Sequence, residues 1–429
     1  MTEQQENTTQ EQVNSYHEPQ GDVVTVVLTA DNHLGFDAFG QQKREERQQH
    51  LRDAFQQAVI FAIGQKADFF IQAGDLFDTA TPTERDRSFV AARLTQLKQA
   101  GVRVIALGGL HDTPTKMQGE HTTSAPQMSY AQLDALQYLP PLHKDEEVEP
   151  LLIETHGIMV GVCGLSSVGE QEGDLLAQLQ IQNSIERATL PILVLHAPIE
   201  GLTENTGAET TRAYVTRTSI EQQRIFRYML AGYYHTYSHQ RIGQTEVIVA
   251  GATDSINSIQ QTQEQQPGFV FMGLAADGLR WCNHIIVNAL QAKRLDIATR
   301  ELWSGPAGTT PTERILERLE PLCDAESIIQ LRLKGKLTRR QYHQLDLNTI
   351  RRYGEEHCFS LAIDDSNVSL VSDADVLAVG IGERFSPREE LIAVAEERIA
   401  DTHDEQEQKA LRNTKEALLL ALDDSRGTR

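Results

Sequence analysis

Aspartate and histidine residues, which are common ligands of divalent cations, stand at recurring places in this sequence. Carboxylate oxygens and imidazole nitrogens bind such ions, and one carboxylate can bridge two of them. Two bridged cations suit phosphoester hydrolysis, because together they stabilise the attacking and the leaving oxygen. The residues with this potential are Asp31, His33, Asp75, His111, His196 and His235.

Apolar runs that predict buried strands precede these positions. The first three runs cover residues 23–28, 67–73 and 102–107, and stretches with helical spacing of apolar residues separate them. Strands and helices that alternate in this way form parallel strands, whose carboxyl ends meet at one edge of the sheet. Later strands at 192–195 and 228–231 lead to His196 and His235. We therefore expect all of these side chains to converge in one cleft.

Each of these residues also has an ordinary explanation when it is taken alone. An aspartate at a strand end often caps a helix, and a single histidine is more often a core or surface group. Five strand ends in succession that carry such residues are not what capping or packing requires. The ordered set therefore favours a metal site over unrelated structural roles.

The composition predicts a globular protein with two or three domains. The chain has 429 residues, of which 40% are hydrophobic and 23% charged, and this excludes wholesale disorder and fibrous classes. No apolar run reaches membrane-spanning length. Residues 1–21 are predicted to be a disordered polar tail without the apolar middle of a secretory signal. We expect a cytoplasmic protein that does not associate with membranes.

The net charge of −22 would argue against a nucleic-acid partner, because phosphate binding needs clustered lysine and arginine. The segment from Glu326 to Gly354 is an exception, with seven basic residues and two acidic ones. A solvated surface is the alternative interpretation of such a run. The candidate DNA-binding residues in it are Arg332, Lys334, Lys336, Arg339 and Arg340.

The order of these motifs resembles that of the calcineurin-like metallophosphoesterases, which is DxH, GDxxD, GNHD, a lone His and GHxH. The matching segments here are Asp31 to His33, Gly74 to Asp78, Gly109 to Asp112, His196, and Gly232 to His235. Within that superfamily the sequence is most similar to DNA repair nucleases of the SbcD type. Two segments beyond the motifs, Leu331 to Gly335 and Phe385 to Glu389, resemble the capping domain and terminal helices of SbcD-like subunits.

The resemblance implies an α/β architecture in three parts. Residues 22–290 would form a four-layer αββα metallophosphoesterase sandwich, residues 291–375 a smaller basic α+β capping domain, and residues 376–429 a C-terminal helical segment. It further implies DNA ends as substrate and a homodimer within a heterotetramer. The terminal helices would bind an SbcC-type coiled-coil ATPase, although packing onto the protein's own body is an equal alternative.

For the metals, the resemblance implies Mn²⁺ or Mg²⁺ in two adjacent sites. The first site would be formed by Asp31, His33, Asp75 and His235. The second would use Asp75 and His196 together with an asparagine and a histidine of the family motifs.

Leu110 and Tyr233 occupy the positions of that asparagine and that histidine. Leucine has no lone pair, and a neutral phenol is a poor ligand for Mn²⁺ or Mg²⁺. We therefore expect one tight site and a second that is weak or empty, unless substrate phosphate, Asn32 or His239 replaces the lost ligands.

His111 corresponds to the histidine that lies beside the scissile phosphate in the family, and Asp112 is expected to orient it. The favoured hypothesis is a metal-dependent exonuclease or endonuclease that acts at DNA ends. A second hypothesis is a catalytically weakened DNA-binding or scaffolding subunit of the same complex. A third is a phosphodiesterase for small substrates, which the basic segment disfavours, although fold alone does not settle substrate.

Overall fold

The computed structural model describes residues 22–37, 43–114, 124–142, 146–168, 172–202, 212–255, 266–304 and 308–371, with isolated positions between 408 and 415. The predicted tail (1–21) lies outside these residues, and so does nearly all of the predicted C-terminal helical segment (376–429). The chain divides into two compact units, Met1–Arg294 with Asp324–Ile328, and Leu295–Cys323 with Ile329–Arg429. The functional assignment of residues 22–290 and 291–375 stays a prediction.

The first unit is built largely from strands. In chain order they are β1 (Val24–Thr29), β2 (Phe69–Ala73), β3 (Arg103–Leu107), β4 (Gln137–Leu139), β5 (Glu147–Val148), β6 (Leu151–Thr155), β7 (Ile158–Ser166), β8 (Gly173–Asp174), β9 (Gln180–Ile181), β10 (Leu190–His196), β11 (Ala213–Tyr214), β12 (Tyr228–Ala231), β13 (Ser238–Ile242), β14 (Thr245–Val249), β15 (Gly268–Ala275) and β16 (Gly278–Ile286).

These strands form two six-stranded sheets, with the orders β16-β15-β1-β2-β3-β4 and β13-β14-β12-β10-β7-β6. Strands β1, β2 and β3 are parallel, as are β7, β10, β12 and β14. The parallel arrangement predicted from the alternating pattern is therefore confirmed. It brings the carboxyl ends of the central strands of each sheet to one edge.

The helices of this unit are α1 (Arg44–Gly64), α2 (Glu84–Gln99), α3 (Pro126–Gln132), α4 (Leu175–Gln178) and α5 (Arg217–Gln222). The Thr83 side chain caps α2 by accepting a hydrogen bond from the backbone N–H of Asp86. In the part of the chain that is described, no helix combines the length and the apolar character needed to cross a lipid bilayer.

Three apolar clusters show how the layers stack. One cluster contains side chains from both sheets, such as Val26 of β1 and Val194 of β10, so the sheets face each other. Neighbouring residues of β1 point to opposite faces, and Val27 accordingly belongs to a second cluster with Phe55 of α1. A third cluster joins the other face of the second sheet to α5 through residues such as Ile220. The four-layer αββα fold is confirmed.

The second unit contains most of a three-stranded sheet of order β17-β18-β19, although residues 291–294 and 327–328 of that sheet are assigned to the first unit. Its strands are β17 (Gln291–Ala298), β18 (Ser327–Thr338) and β19 (Ser360–Val371), and its helices are α6 (Pro311–Leu319), α7 (Arg339–Gln344) and α8 (Leu347–His357). Strand β18 continues past the predicted end at Leu333, because charged residues on its outer face interrupt the apolar run without interrupting the strand.

Two buried ion pairs hold α1 in the first unit. The Arg47 guanidinium lies 2.6 Å from the carboxylate of Asp254, and both side chains are almost completely buried. It also donates to the carbonyl oxygen of Ser255 at 2.9 Å. A second pair, Arg52 with Asp86 at 2.7 Å, joins α1 to α2. Removal of one partner from such a pair leaves an uncompensated buried charge.

We therefore expect Arg47→Met to lower the free energy of unfolding by about 3–5 kcal/mol, measured by urea denaturation. Arg85→Met is the matched control, because Arg85 pairs with Glu45 where both side chains are exposed. An exposed pair contributes less than about 1 kcal/mol. Equal effects of the two substitutions would contradict a stabilising role for the buried pair.

Candidate metal centre

The loops that follow β1 and β2 lie side by side at the carboxyl edge of the first sheet. The backbone N–H of Asp31 donates to the carbonyl oxygen of Gly74 at 3.0 Å, and the N–H of His33 donates to that of Asp75 at 3.1 Å. This pairing continues the parallel ladder beyond the regular strands. It places Asp31, His33 and Asp75 together in a buried position.

The backbone at these residues is strained. The φ angles are positive at Asp31 (48°), His33 (44°), Asp75 (54°) and Tyr233 (81°), in the left-handed region that residues other than glycine rarely adopt. Such conformations cost about 1–3 kcal/mol each and persist where the surrounding structure enforces them. Here they aim the side chains of consecutive loops at one point.

Ligand atoms converge there in three overlapping groups, within each of which they lie no more than 4.8 Å apart. The groups are Asp31 with His33 and His235, Asp31 with Asp75 and His196, and His33 with Asp75 and His111. Because Asp31, His33 and Asp75 are shared, the three groups form one continuous centre. The structure thus brings together six of the residues singled out in the sequence.

Gly109 allows the loop after β3 to approach this centre. A Cβ atom on Gly109 would lie 2.2 Å from the Oδ1 of Asp75, which leaves no room for any side chain. The close approach lets the backbone N–H of His111 donate to the same Oδ1 at 2.8 Å. The Asp75 carboxylate is thereby fixed through one oxygen.

His33 has the geometry of a metal ligand whose other ring nitrogen is fixed by a hydrogen bond. Its Nδ1–H donates to Asp78 Oδ1 at 2.9 Å, whereas its Nε2 is buried without a hydrogen-bond partner and faces Asp75 at 3.9 Å. Carboxylates commonly orient metal-bound histidines in this way. Burial alone would lower the pKa of His33, but the hydrogen bond to Asp78 and the nearby carboxylates raise it. A buried nitrogen without a hydrogen-bond partner, beside the Asp75 carboxylate, fits a cation.

His235 completes the first group with a neutral imidazole. Burial, together with the positive charge of His33, lowers the pKa of His235 to about 3. Its Nε2 lies 3.9 Å from Asp31 Oδ1. The neutral form is the one that binds metals. The donor set of Asp31, His33, Asp75 and His235 is therefore chemically suited to a divalent cation.

His196 is fully buried and faces the same Asp75 oxygen as His33. Its Nδ1–H donates to the carbonyl oxygen of Ala73 at 2.8 Å, and its Nε2–H donates to Asp75 Oδ2 at 3.1 Å. Burial would lower the pKa of His196, but the charge of Asp75 and this hydrogen bond raise it to about 9. A cation bound beside Asp75 would therefore compete with a proton on His196.

His111 and Asp112 do not form the pair predicted from the sequence. Asp112 is fully buried and accepts hydrogen bonds from the backbone N–H groups of Gly109 and Leu76, each at 2.8 Å. Burial and the negative charge of Asp75 raise the pKa of Asp112 to about 6. Adjacent side chains in this turn point in different directions, so Asp112 joins two loops while His111 faces solvent, 51% exposed.

The residue beside His111 is Asp78. Its carboxylate lies 3.6 Å from the Nδ1 of His111 and also accepts the hydrogen bond from His33. Sequence reasoning quoted Asp78 within a motif without giving it a role. Its position three residues after Asp75, in the loop that follows β2, could have indicated a role in the site.

Comparison with known proteins identifies this arrangement. A family model described as calcineurin-like phosphoesterase matches residues 24–223. Residues 24–223 form a calcineurin-like phosphoesterase domain. The match to the family model ends at residue 223, before His235. His235 follows β12 of the second sheet and belongs to the ligand groups of the metal centre. Phosphoesterases of this family depend on divalent metals.

The chain is also similar to archaeal proteins named DNA double-strand break repair protein Mre11. The protein of Sulfurisphaera tokodaii is 24% identical over 256 residues, which cover 59% of this chain and 60% of that one. The protein of Sulfolobus acidocaldarius is 24% identical over 337 residues, or 76% of this chain and 80% of that one. That of Saccharolobus solfataricus is 33% identical over 94 residues, about a quarter of its length.

Leu110 and Tyr233 lie beside the metal centre. Leu110 stands between Gly109 and His111, and the Tyr233 ring lies 5.8 Å from the ring of His196. The backbone N–H of Tyr233 donates to Asp31 at 3.1 Å, so this position still supports the first group of ligands. Its side chain does not supply an imidazole to the second.

The two residues considered as replacement ligands have other partners. Asn32 is buried and donates to Thr29 at 2.8 Å and to Thr253 at 3.1 Å. His239 lies on β13, where its Nε2 is 3.0 Å from Glu246. The Oδ1 of Asn32 accepts a hydrogen bond from Gln72 at 3.3 Å, and His239 does not belong to the three groups of ligand atoms. The expectation that one of them replaces the lost ligands finds no support among the described residues.

The candidate DNA-binding residues belong to the second unit. Arg332, Lys334 and Lys336 lie on β18, while Arg339 and Arg340 begin α7. Their role in nucleic-acid binding stays a prediction, and their contacts are described below.

We expect the affinity of the phosphoesterase domain for a divalent cation to rise between pH 6.5 and 8.5. A cation next to Asp75 cancels the charge that holds the proton on His196, so binding releases a proton below the raised pKa. Calorimetry in buffers of different ionisation enthalpy measures the protons released, and His196→Gln should release fewer. Affinity that does not change with pH would contradict this coupling.

Proposed function

We propose that this chain is a metal-dependent nuclease that hydrolyses phosphodiester bonds at DNA ends. The observation that carries the proposal is the placement of His111. It is half exposed beside a buried group of metal ligands and held by Asp78. The similarity to proteins named for double-strand break repair favours DNA over small phosphoesters as substrate.

A bound divalent cation, which we propose to be Mn²⁺ with Mg²⁺ as a substitute, would supply an activated water and stabilise the charge on the phosphate. Asp31, His33, Asp75 and His235 would hold it. The His111 side chain would protonate the leaving oxygen, because its ring is accessible from solvent and next to the ligands. Asp78 would orient His111 and His33 together, since its carboxylate lies near both rings.

The proposed assembly follows the same similarity. DNA ends would be presented by an SbcC-type coiled-coil ATPase, with residues 376–429 as the proposed binding segment. Two copies of this chain would take part, as a homodimer within a heterotetramer. The basic residues of the second unit would contact the DNA backbone and carry no base specificity.

A second candidate is a DNA-binding or scaffolding subunit with weakened catalysis. The observation that favours it is the pair of substitutions at Leu110 and Tyr233. Loss of two ligands from the second site removes the clamp that would hold both reacting oxygens. The two candidates differ in whether the purified protein cleaves DNA when metal is present.

His111→Ala should reduce Mn²⁺-dependent cleavage of a labelled DNA duplex by about 100-fold or more, as expected when a proton-transfer group is lost. Metal binding and the fold should be unchanged, because His111 is the exposed member of its group. His239→Ala is the matched control on β13. Cleavage that survives His111→Ala, or a wild type that never cleaves even with its ATPase partner, would defeat the nuclease proposal.

We expect about one tightly bound Mn²⁺ per chain in the wild type, because the second site lacks two of its ligands. Leu110→Asn combined with Tyr233→His should raise the stoichiometry to about two and increase the cleavage rate. Metal content after gel filtration and initial rates measure both effects. Two tight ions in the wild type would show that the substitutions do not impair the second site.

A further inference from the structure

The outer face of the β17-β18-β19 sheet carries a row of cations. Along β18, Leu331 and Leu333 are fully buried in the core of the second unit. Alternate residues point to the other face of a strand, which places Arg332, Lys334 and Lys336 in one line on the outside. These three side chains are partly or fully exposed. Solvent can therefore reach every charge in the row.

The spacing of the row suits a polyanion. Residues two apart on a strand are separated by about 6.6 Å, so the three cations repeat at a nearly constant interval. Successive phosphates along a nucleic-acid strand also repeat regularly, and lysine and arginine that neutralise them release bound counterions. A straight row of this kind follows a backbone without reading bases.

Carboxylates from both neighbouring strands lie within this row. Asp296 of β17 is 3.2 Å from the Nζ of Lys334 and 3.7 Å from the Nε of Arg332. Asp364 of β19 is 3.5 Å from the Nε of Arg332. The side chains in these ion pairs are partly exposed, and exposed pairs contribute little to stability. Lys336 has no ion pair with any described residue.

We propose that Asp296 and Asp364 are internal counter-anions, which the phosphates of a DNA strand displace from Arg332 and Lys334. The inference rests on the proposed function, which supplies DNA as the ligand. It adds that the carboxylates set the affinity of this face for DNA. Lys336 binds a phosphate first, because it has no carboxylate to exchange. The other two cations bind only as their carboxylates give way, so wild-type affinity is held below that of the cations alone.

The proposal has a consequence for salt dependence. A lysine paired with a carboxylate attracts fewer ions from solution, so contact between that lysine and a phosphate releases fewer of them. Asp296→Asn should therefore raise the affinity for duplex DNA about threefold or more at 100 mM NaCl. It should also steepen the dependence of log affinity on log salt by up to about one.

Binding is measured with the full chain by fluorescence anisotropy of a labelled blunt duplex. EDTA is present, so that cleavage and metal binding do not contribute. Glu355→Gln is the matched control, because it removes the same charge from α8, which packs on the inner face through Ile350. The control should change affinity less than about 1.5-fold. Melting temperatures of all variants test that they are folded.

A second comparison separates pairing from general repulsion. Lys334→Gln should weaken binding more in the Asp296→Asn background than in the wild type, because only there is the lysine fully available. Additive effects, or equal affinities of Asp296→Asn and Glu355→Gln, would overturn the inference while leaving the proposed function intact. Failure of every variant to bind DNA would overturn both. Binding without cleavage in metal would count against the proposed nuclease alone.

Discussion

The metal centre depends on the contacts of the Asp75 carboxylate. One oxygen accepts the backbone N–H of His111, and the other faces the imidazoles of His196 and His33. Loops from both sheets therefore meet at a single charged group. The two carboxylates of the centre, Asp31 and Asp75, are buried, and backbone N–H donors together with nearby positive charge offset the cost of that burial.

The strained backbone and the buried polar contacts around the centre both serve to position the loops that carry the ligands. Left-handed φ angles at Asp31, His33 and Asp75 turn consecutive loops sharply, so that their side chains point inward. Asp112 then holds two of these loops together through backbone N–H groups of Gly109 and Leu76. Its burial is better explained by this task than by an interaction with His111. The sandwich thus holds in place a conformation that the loops would not adopt alone.

The sequence predicted the layers of the fold and the convergence of the ligands well, because both follow from strand-end positions in parallel units. The strand at Val23 to Leu28 and the helix after it were predicted, because the spacing of apolar residues is regular there. The partner of His111 was not predictable, because the direction of a side chain in a turn depends on φ and not on residue type. The end of β18 was missed for a related reason, since Lys334 and Lys336 face outward from an uninterrupted strand.

Local charge matters more than net charge in each unit of this acidic chain. A net charge of −22 would repel DNA as a whole, and screening at physiological salt limits that repulsion to about 8 Å. Contact therefore depends on local rows of cations rather than on the total. The row on β18 contains carboxylates at Asp296 and Asp364, and the metal centre contains carboxylates at Asp31 and Asp75. An anionic ligand would displace the carboxylates of the second unit, whereas a cation would bind to the carboxylates of the metal centre.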